Sequence, residues 1–306
     1  QAIVLFMTAY ADTDKAVRAI KAGAIDFIPK PWEKEKLLAT LSSAIKLRDS
    51  RKEVRQLKEQ VVALSAQDEE MPQMIGHSAP MREVFDTIRK LSDTDANILI
   101  LGENGTGKDL VARSLRYFSP RRECPFITID LGSIPESLFE SELFGYEKGA
   151  FTGAASGGKI GKIELANHGT LFLDEIGELP PHIQSKLLQL IQEKTIERVS
   201  GTRRIELDFR LIVATNRNLE EEVQRGLFRS DLFYRLNVIR VHIPPLRQRP
   251  DDILPLAHQF LERFCREYGK QITFSPRFIS FLEQFSWPGN VRQLENLMER
   301  LVITSQ

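Results

Sequence analysis

An α/β fold followed by a small all-helical module is what this 306-residue sequence predicts, on three observations. After the polar segment Gln67 to Pro72, strand-like apolar runs alternate with helical patterns as far as about Pro245, the layout of a parallel sheet covered by helices. One of those runs, Asn97 to Leu101, leads into a glycine-rich loop that opens into a helix. Beyond Pro245, the stretches Asp251 to Tyr268, Pro276 to Phe285 and Val291 to Thr304 read as helices with no strand among them.

The first residues belong to another unit. Ile3 to Met7 is an apolar run with no turn or cap before it, so the sequence reads as beginning inside a domain. A helical stretch through Lys21 is closed by Gly23, and Asp26-Phe27-Ile28 makes a short strand ending at Pro29-Lys30-Pro31. From Glu33 to about Ser65 there is no Gly or Pro, and Leu, Lys, Arg and Glu predict one long helix. Val54, Leu57, Val61 and Leu64 fall on one seam of it, which suits a short dimerising coiled coil; a solitary solvated helix is the alternative. The expected domains are therefore residues 1–48, a helical linker over 49–72, an α/β unit over 73–245 and a helical unit over 246–306.

Composition narrows the function classes. The 42 Lys and Arg residues balance 42 Asp and Glu, so whole-chain charge gives no pull toward nucleic acid or an anionic membrane. No apolar stretch approaches the ~18 residues that span a bilayer, and no signal peptide is legible, which predicts a cytoplasmic protein without a membrane partner. Cys124 and Cys265 lack metal-ligand spacing and read as reduced thiols.

The loop Gly102-Glu103-Asn104-Gly105-Thr106-Gly107-Lys108-Asp109, with a helix from about Leu110, has the form that wraps phosphates in backbone N–H groups. Its glycines allow the tight path, and Lys108 supplies a point charge for β- and γ-phosphates. The Ser or Thr that usually follows such a lysine as a magnesium ligand is replaced by Asp109, so the metal must rely on other carboxylates. The run Leu171-Phe172-Leu173-Asp174-Glu175 delivers two acids to a strand end: Asp174 to hold magnesium directly or through water, Glu175 to polarise attacking water. Such pairs also occur as plain turn residues; the phosphate loop upstream favours catalysis. Leu211 to Asn216 is a further strand, suited to placing the Asn216 amide near a γ-phosphate. Arg229 and Arg235 flank a helical turn; arginine suits phosphoryl-transfer charge, although either could be a surface ion pair.

Together these residues resemble the sigma-54-interacting AAA+ transcriptional activators, the bacterial enhancer-binding proteins of the nitrogen-regulator type. Gly149-Ala150-Phe151-Thr152-Gly153-Ala154 matches the family's GAFTGA loop letter for letter. The resemblance implies a P-loop AAA+ three-layer α/β domain with a C-terminal helical lid, ATP and Mg2+ as ligands, and a Phe151-Thr152 tip that touches sigma-54. It maps Asn216 onto sensor I, Arg229 and Arg235 onto arginine fingers that reach a neighbouring subunit, and Arg292 onto sensor II. Ile75-Gly76 falls beside adenine, and Leu110 closes the nucleotide-binding run.

Residues 1 to about 48 resemble the second half of a flavodoxin-like response-regulator receiver. Thr8, the aromatic Phe27 and Lys30 would be its switch residues, with Lys30–Pro31 cis. The phospho-acceptor Asp would lie before residue 1 and no helix-turn-helix follows Gln306, so DNA contact needs a module outside this sequence. Departures from the family are Lys162-Ile163 in place of Arg-Phe, read as conservative, and Asp130 where Asn is usual beside the catalytic Glu. Neighbouring carboxylates repel unless one is protonated or metal-bound, so Asp130 is expected to alter the Glu175 switch.

The function these readings predict is ATP hydrolysis in a ring, expected to be a hexamer, that drives the loop against sigma-54 RNA polymerase. A sensor histidine kinase would act through the complete receiver, and the linker would hold inactive dimers. Two other readings stay open: a nucleotide-sensing module without turnover, and another AAA+ remodelling ATPase that threads a polymer.

Overall fold

A computed structural model describes residues 4–8, 24–31, 33–35, 37–45, 48, 71–72, 74–150 and 157–305. The chain divides into two compact units, Gln1–Ala63 and Leu64–Gln306.

In the first unit, β1 (Leu5–Thr8) and β2 (Asp26–Pro29) run parallel, Leu5 opposite Asp26 and Thr8 opposite Pro29. A parallel pair needs a crossover between its strands; the helical stretch expected through Lys21 lies outside the described residues. The Lys30–Pro31 peptide is cis. Residues 34–35 and 37–45 are helical, the start of the helix expected from Glu33. The Val54 to Leu64 seam lies outside the described residues.

The second unit is built on five strands: β3 (Ile98–Leu101), β4 (Phe126–Asp130), β7 (Thr170–Asp174), β10 (Arg210–Thr215) and β11 (Ile239–His242). They order as β11-β3-β10-β7-β4, and every neighbouring pair is parallel. Two-residue alternation sends successive side chains to opposite faces. Leu171, Leu173, Leu211 and Val213 enter one apolar core, while Phe172, Ile212 and Ala214 enter the other. Both faces being covered, these strands read as continuous apolar runs rather than alternating ones.

Helices α1 (Ala79–Leu91) and α2 (Lys108–Tyr117) close one face through Met81, Val84, Ile88, Val111 and Leu115. The other face is closed by α3 (Phe139–Phe144), α4 (Lys162–Leu165), α5 (Pro181–Glu193), α6 (Leu219–Gln224) and α7 (Ser230–Leu236). Two antiparallel ribbons decorate it, β5 (Gly145–Tyr146) with β6 (Lys159–Ile160) and β8 (Thr195–Ile196) with β9 (Ile205–Glu206). The result is the three-layer arrangement that the sequence predicts.

The last three helices are α8 (Ile253–Tyr268), α9 (Pro276–Gln284) and α10 (Asn290–Thr304), with their own core around Trp287, Leu294 and Met298. The indole N–H of the buried Trp287 donates to the carbonyl of Leu282 at 2.9 Å, so its one polar atom is satisfied. This lid is fastened back onto the α/β layers by Asp252. Its carboxylate, fully buried, accepts from the N–H of Ser78 at 2.8 Å and from the Ser78 hydroxyl at 2.7 Å, at the start of α1.

Candidate active site

The phosphate loop joins β3 to α2 at the C-terminal edge of the sheet. Gly105 and Gly107 have φ of 77° and 103°, the left-handed region that a side chain disfavours. The helix begins at Lys108, earlier than the expected Leu110, because Gly107 already serves as its N-cap. No side chain caps that end, which leaves the first-turn N–H groups open to an anion.

Lys108 is buried, and its ammonium donates to Gly102 O at 3.2 Å, Asn104 Oδ1 at 3.4 Å and Glu175 Oε1 at 3.2 Å. Asp174 ends β7, and its Oδ1 accepts from the Glu175 N–H at 3.0 Å. Burial pushes the Asp174 carboxyl above its usual range; Lys108 opposes this, while Glu175 and Asp130 add to it. Glu175 itself sits at φ 54°, a left-handed position for a residue with a side chain. Such a conformation costs on the order of 1–3 kcal/mol and aims the carboxylate back at the loop.

Asn216 follows β10 and is exposed; its N–H lies 3.4 Å from Glu175 Oε2. Lys108, Asp174, Glu175 and Asn216 are thus gathered at one strand edge. The remaining predicted residues are placed differently. Asp109 turns outward to Arg113 at 2.7 Å. Asp130 stands in register beside Asp174, but its Oδ1 accepts from the Gly132 N–H at 3.0 Å. Arg229 is held by Asp231 at 2.8 Å, and Arg235 is exposed on α7. Neither lines the large cavity beside the loop. Arg292 contacts the loop through its backbone, N–H to Gly105 O at 3.3 Å, and its side chain lines a lid groove with Phe285 and Trp287.

The large cavity, about 790 Å³, opens between the loop and the lid. Its apolar walls come from Met74, Ile75, Leu110, Leu256, Phe260 and Val291, its polar ones from Thr106, Gly107, Arg249 and Arg263. Ile75, expected beside adenine, is one of the cavity's apolar wall residues. Gly76 lies against α1, where a Cβ would come within 2.7 Å of Met81 Cβ.

Three residues at this site escaped the sequence reading. Asn290, fully buried at φ 52°, accepts the Leu246 N–H at 2.8 Å and donates to Glu103 Oε2 at 3.1 Å and Asn104 O at 3.0 Å. Arg249, 2% exposed, donates to Thr106 O at 3.0 Å, and burial lowers its pKa against the pull of Asp252. Arg247 pairs with Glu103; together with Asn290 it holds that carboxyl at about 2. The one available signal was local: Asn290 directly follows Pro288-Gly289, a turn where Asn tolerates positive φ.

Phe151, Thr152, Gly153 and Ala154 lie outside the described residues, but the base of their loop is defined. It rises from the β5–β6 ribbon, where Gly145 at φ 75° packs so closely that a Cβ would come 2.3 Å from Lys159 O. Arg198 braces that base through Glu147 at 3.2 Å and Glu164 at 3.0 Å. Gly149 is open, also at positive φ, and the Ala150 N–H donates to Glu147 O at 3.2 Å. In the first unit, Thr8 ends β1, Phe27 lies within β2 and Lys30 is exposed just after it.

Parallel strands ordered β11-β3-β10-β7-β4, a phosphate loop after β3, paired acids after β7 and a helical lid define a P-loop domain of the AAA+ class. The family described as Sigma-54 interaction domain matches residues 74–242, and the AAA+ ATPase lid domain matches residues 247–306. The chain belongs to the sigma-54 interaction domain family. It is 45% identical over 301 residues to the regulatory protein AtoC of Escherichia coli (strain K12), covering 98% of this chain and 64% of that protein. It is 44% identical to the DNA-binding transcriptional regulator NtrC of the same organism, covering 98% and 62%. The crystal structure of NtrX from Brucella abortus in complex with ATP matches with a TM-score of 0.70 at 34% identity, covering 98% of this chain and 66% of that one. The chain thus spans somewhat under two thirds of the length of AtoC and NtrC.

Proposed function

We propose that this chain hydrolyses ATP in a ring of like subunits and uses the cycle to remodel RNA polymerase carrying sigma-54, under a two-component phosphorelay. The observation that carries the proposal is the apposition of Lys108 and Glu175, 3.2 Å apart, at a loop whose N–H groups are open to phosphate. Lys108 takes the β- and γ-phosphate charge, Glu175 orients and deprotonates the attacking water, and the Asn216 side chain helps place that water. The cavity beside Ile75 is of the size that takes a nucleoside, and the complex of NtrX with ATP supports the same ligand.

The oxygen donors fit a hard divalent cation. Asp174 is a half-buried carboxylate without a full countercharge, and among the described residues no group of three His, Cys, Asp or Glu could chelate a metal alone. That suits Mg2+, which takes one or two carboxylates and completes its shell with substrate phosphates and water. Asp174 would hold the ion, which would supply charge to neutralise the phosphates.

Arg229 and Arg235 serve the site of a neighbouring subunit, Arg292 senses the nucleotide from the lid, and the Phe151-Thr152 tip presses on sigma-54. Residues 1–48 act as part of a receiver whose switch includes Thr8, Phe27 and Lys30, and residues 49–72 as a dimerising linker. Residues 73–245 and 246–306 form the α/β and lid parts of the motor. Among the described residues no helix is long and apolar enough to cross a membrane, which supports a cytoplasmic setting. Asp130, beside Asp174, alters the Glu175 switch and slows resting hydrolysis. Asp130→Asn then raises the resting rate and moves the acid limb of its pH profile downward, since removing a neighbouring negative charge lowers the Asp174 pKa.

The deciding experiment is steady-state phosphate release by the chain, with Glu175→Gln as control. ATP bound without turnover would favour the sensing-module reading. Thr152→Ala should lose sigma-54 binding while keeping its ATPase; binding indifferent to that change would point to another AAA+ remodeller.

A further inference from the structure

Three consecutive carbonyls of the phosphate loop are each taken by a different part of the lid. Asn104 O accepts from Asn290 Nδ2 at 3.0 Å, Gly105 O from the Arg292 N–H at 3.3 Å, and Thr106 O from Arg249 Nη2 at 3.0 Å. Within a trans peptide, the C=O and the next residue's N–H point in opposite directions. Turning these carbonyls to the lid therefore turns the N–H groups of Gly105, Thr106 and Gly107 the other way, toward the side where an anion would sit. The Thr106 N–H makes only a long bond of 3.4 Å to Glu103 O. Among the described residues, no acceptor takes the N–H of Gly105 or Gly107.

The fit is tight on the lid side. A Cβ on Gly105 would come 2.5 Å from Gly289 O and 3.0 Å from Arg292 Cβ, so loop and lid meet backbone to backbone. Asn290 and Arg249 are both buried; the Asn290 amide donates to Glu103 and Asn104 of the loop, and Arg249 gives Nη2 to Thr106 O while its Nε has no partner.

We infer that the lid holds the phosphate loop in its anion-binding conformation, with Asn290 and Arg249 as positioning residues for the polyphosphate. The inference rests on the nucleotide site proposed above and adds a direction of control. A lid that swings away releases three carbonyls at once, lets the peptide planes turn, and weakens the hold on phosphate before any contact with the base is lost.

The test separates the phosphate half of the ligand from the nucleoside half. The full chain is titrated calorimetrically with ATP, with inorganic tripolyphosphate and with adenosine, and melting curves follow its fold. Asn290→Asp keeps the acceptor for Leu246 but sets an acceptor against Asn104 O and Glu103. Losing that donor should weaken tripolyphosphate and ATP about tenfold or more and leave adenosine within about twofold. Equal weakening of all three ligands would mean that the lid is merely displaced, and unchanged tripolyphosphate binding would mean that the loop holds itself; either result overturns the inference. Should Asn290→Asp fail to fold, Arg249→Lys, which shortens the reach to Thr106 O and keeps the charge, takes the same three titrations with the same deciding outcomes. Wild-type chain that binds no ATP would overturn the nucleotide-site reading as well, whereas wild-type binding with indifferent variants would overturn this inference alone.

Discussion

The ammonium of Lys108 lies 3.2 Å from Oε1 of Glu175, so the loop's cation and the strand-end carboxylate neutralise each other. Lys108 has three N–H donors, and Gly102 O, Asn104 Oδ1 and Glu175 Oε1 occupy all three. An entering polyphosphate must compete with Glu175 for Lys108. In the proposed mechanism the displaced carboxylate is then free to meet water, so that phosphate arrival releases the base. Glu175→Gln removes the competing charge and the base together. Calorimetry should find ATP bound severalfold more tightly, while phosphate release falls by about 100-fold or more. Affinity that stays level or drops would show that the pair does not oppose binding.

Arg210 carries fold stability rather than chemistry. It is fully buried at the start of β10 and donates to the carbonyls of Ser92 at 3.2 Å, Leu115 at 3.1 Å and Leu91 at 2.7 Å. These oxygens terminate α1 and lie near the end of α2, so one guanidinium serves orphan carbonyls of both helices. Burial depresses its pKa, and its Nε has no partner, which shows the cost of keeping a charge there. Arg210→Met relieves that cost but strands the carbonyls, at about 1–3 kcal/mol for each unsatisfied buried group. Urea unfolding should show a net loss of about 2–4 kcal/mol. A neutral outcome would mean that water replaces the guanidinium.

Glu103 adds a pH-dependent contribution. Hydrogen bonds from Arg247 and Asn290 lower its carboxyl from 4.5 to about 2. A carboxyl depressed in the folded state stabilises above its unfolded pKa and loses that effect as pH falls through the folded one. The window is therefore pH 4.5 down to about 2. The side chain is 42% exposed, so screening keeps the effect below about 1 kcal/mol. Glu103→Gln should be slightly less stable than wild type at neutral pH, and the gap should close as pH falls through that window. Urea unfolding at stepped pH reads it; a gap independent of pH would assign the loss to packing.

What could be read from the sequence followed distance along the chain. The apolar runs at Ile98, Leu171 and Leu211 announced strands because both their faces are covered, and the loop from Gly102 to Lys108 is a contiguous motif. Helix starts were less legible, since α2 begins where Gly107 adopts positive φ, a backbone property that composition only permits. Asn290, Arg249 and Asp252 were missed because each acts across a large sequence separation, on Asn104, Thr106 and Ser78. A buried Asn or Arg looks like any polar residue until its partners are folded against it. Arg292 marks the opposite case: its motif was legible, but the contact it makes with the loop is through backbone, which no side-chain identity announces.

Arg229, the N-cap of α7, and Arg235, in its last turn, are both absent from the cavity lined by the loop and lid. A guanidinium that stabilises phosphoryl transfer must reach the γ-phosphate, so the proposed role of these two residues requires a neighbour's site. That geometry makes a prediction which single variants cannot. Arg235→Ala should bind ATP but turn over about 1000-fold more slowly, and Glu175→Gln should be inactive for lack of its base. Mixed in equal amounts, the two inactive proteins form some interfaces where an intact Glu175 faces an intact Arg235 from the next subunit. Phosphate release should then recover to a sizeable fraction of wild type, rise with total protein concentration, and vanish on dilution below the assembly threshold. Recovery is impossible if both residues act on the ATP of their own chain, because every chain in the mixture lacks one of them.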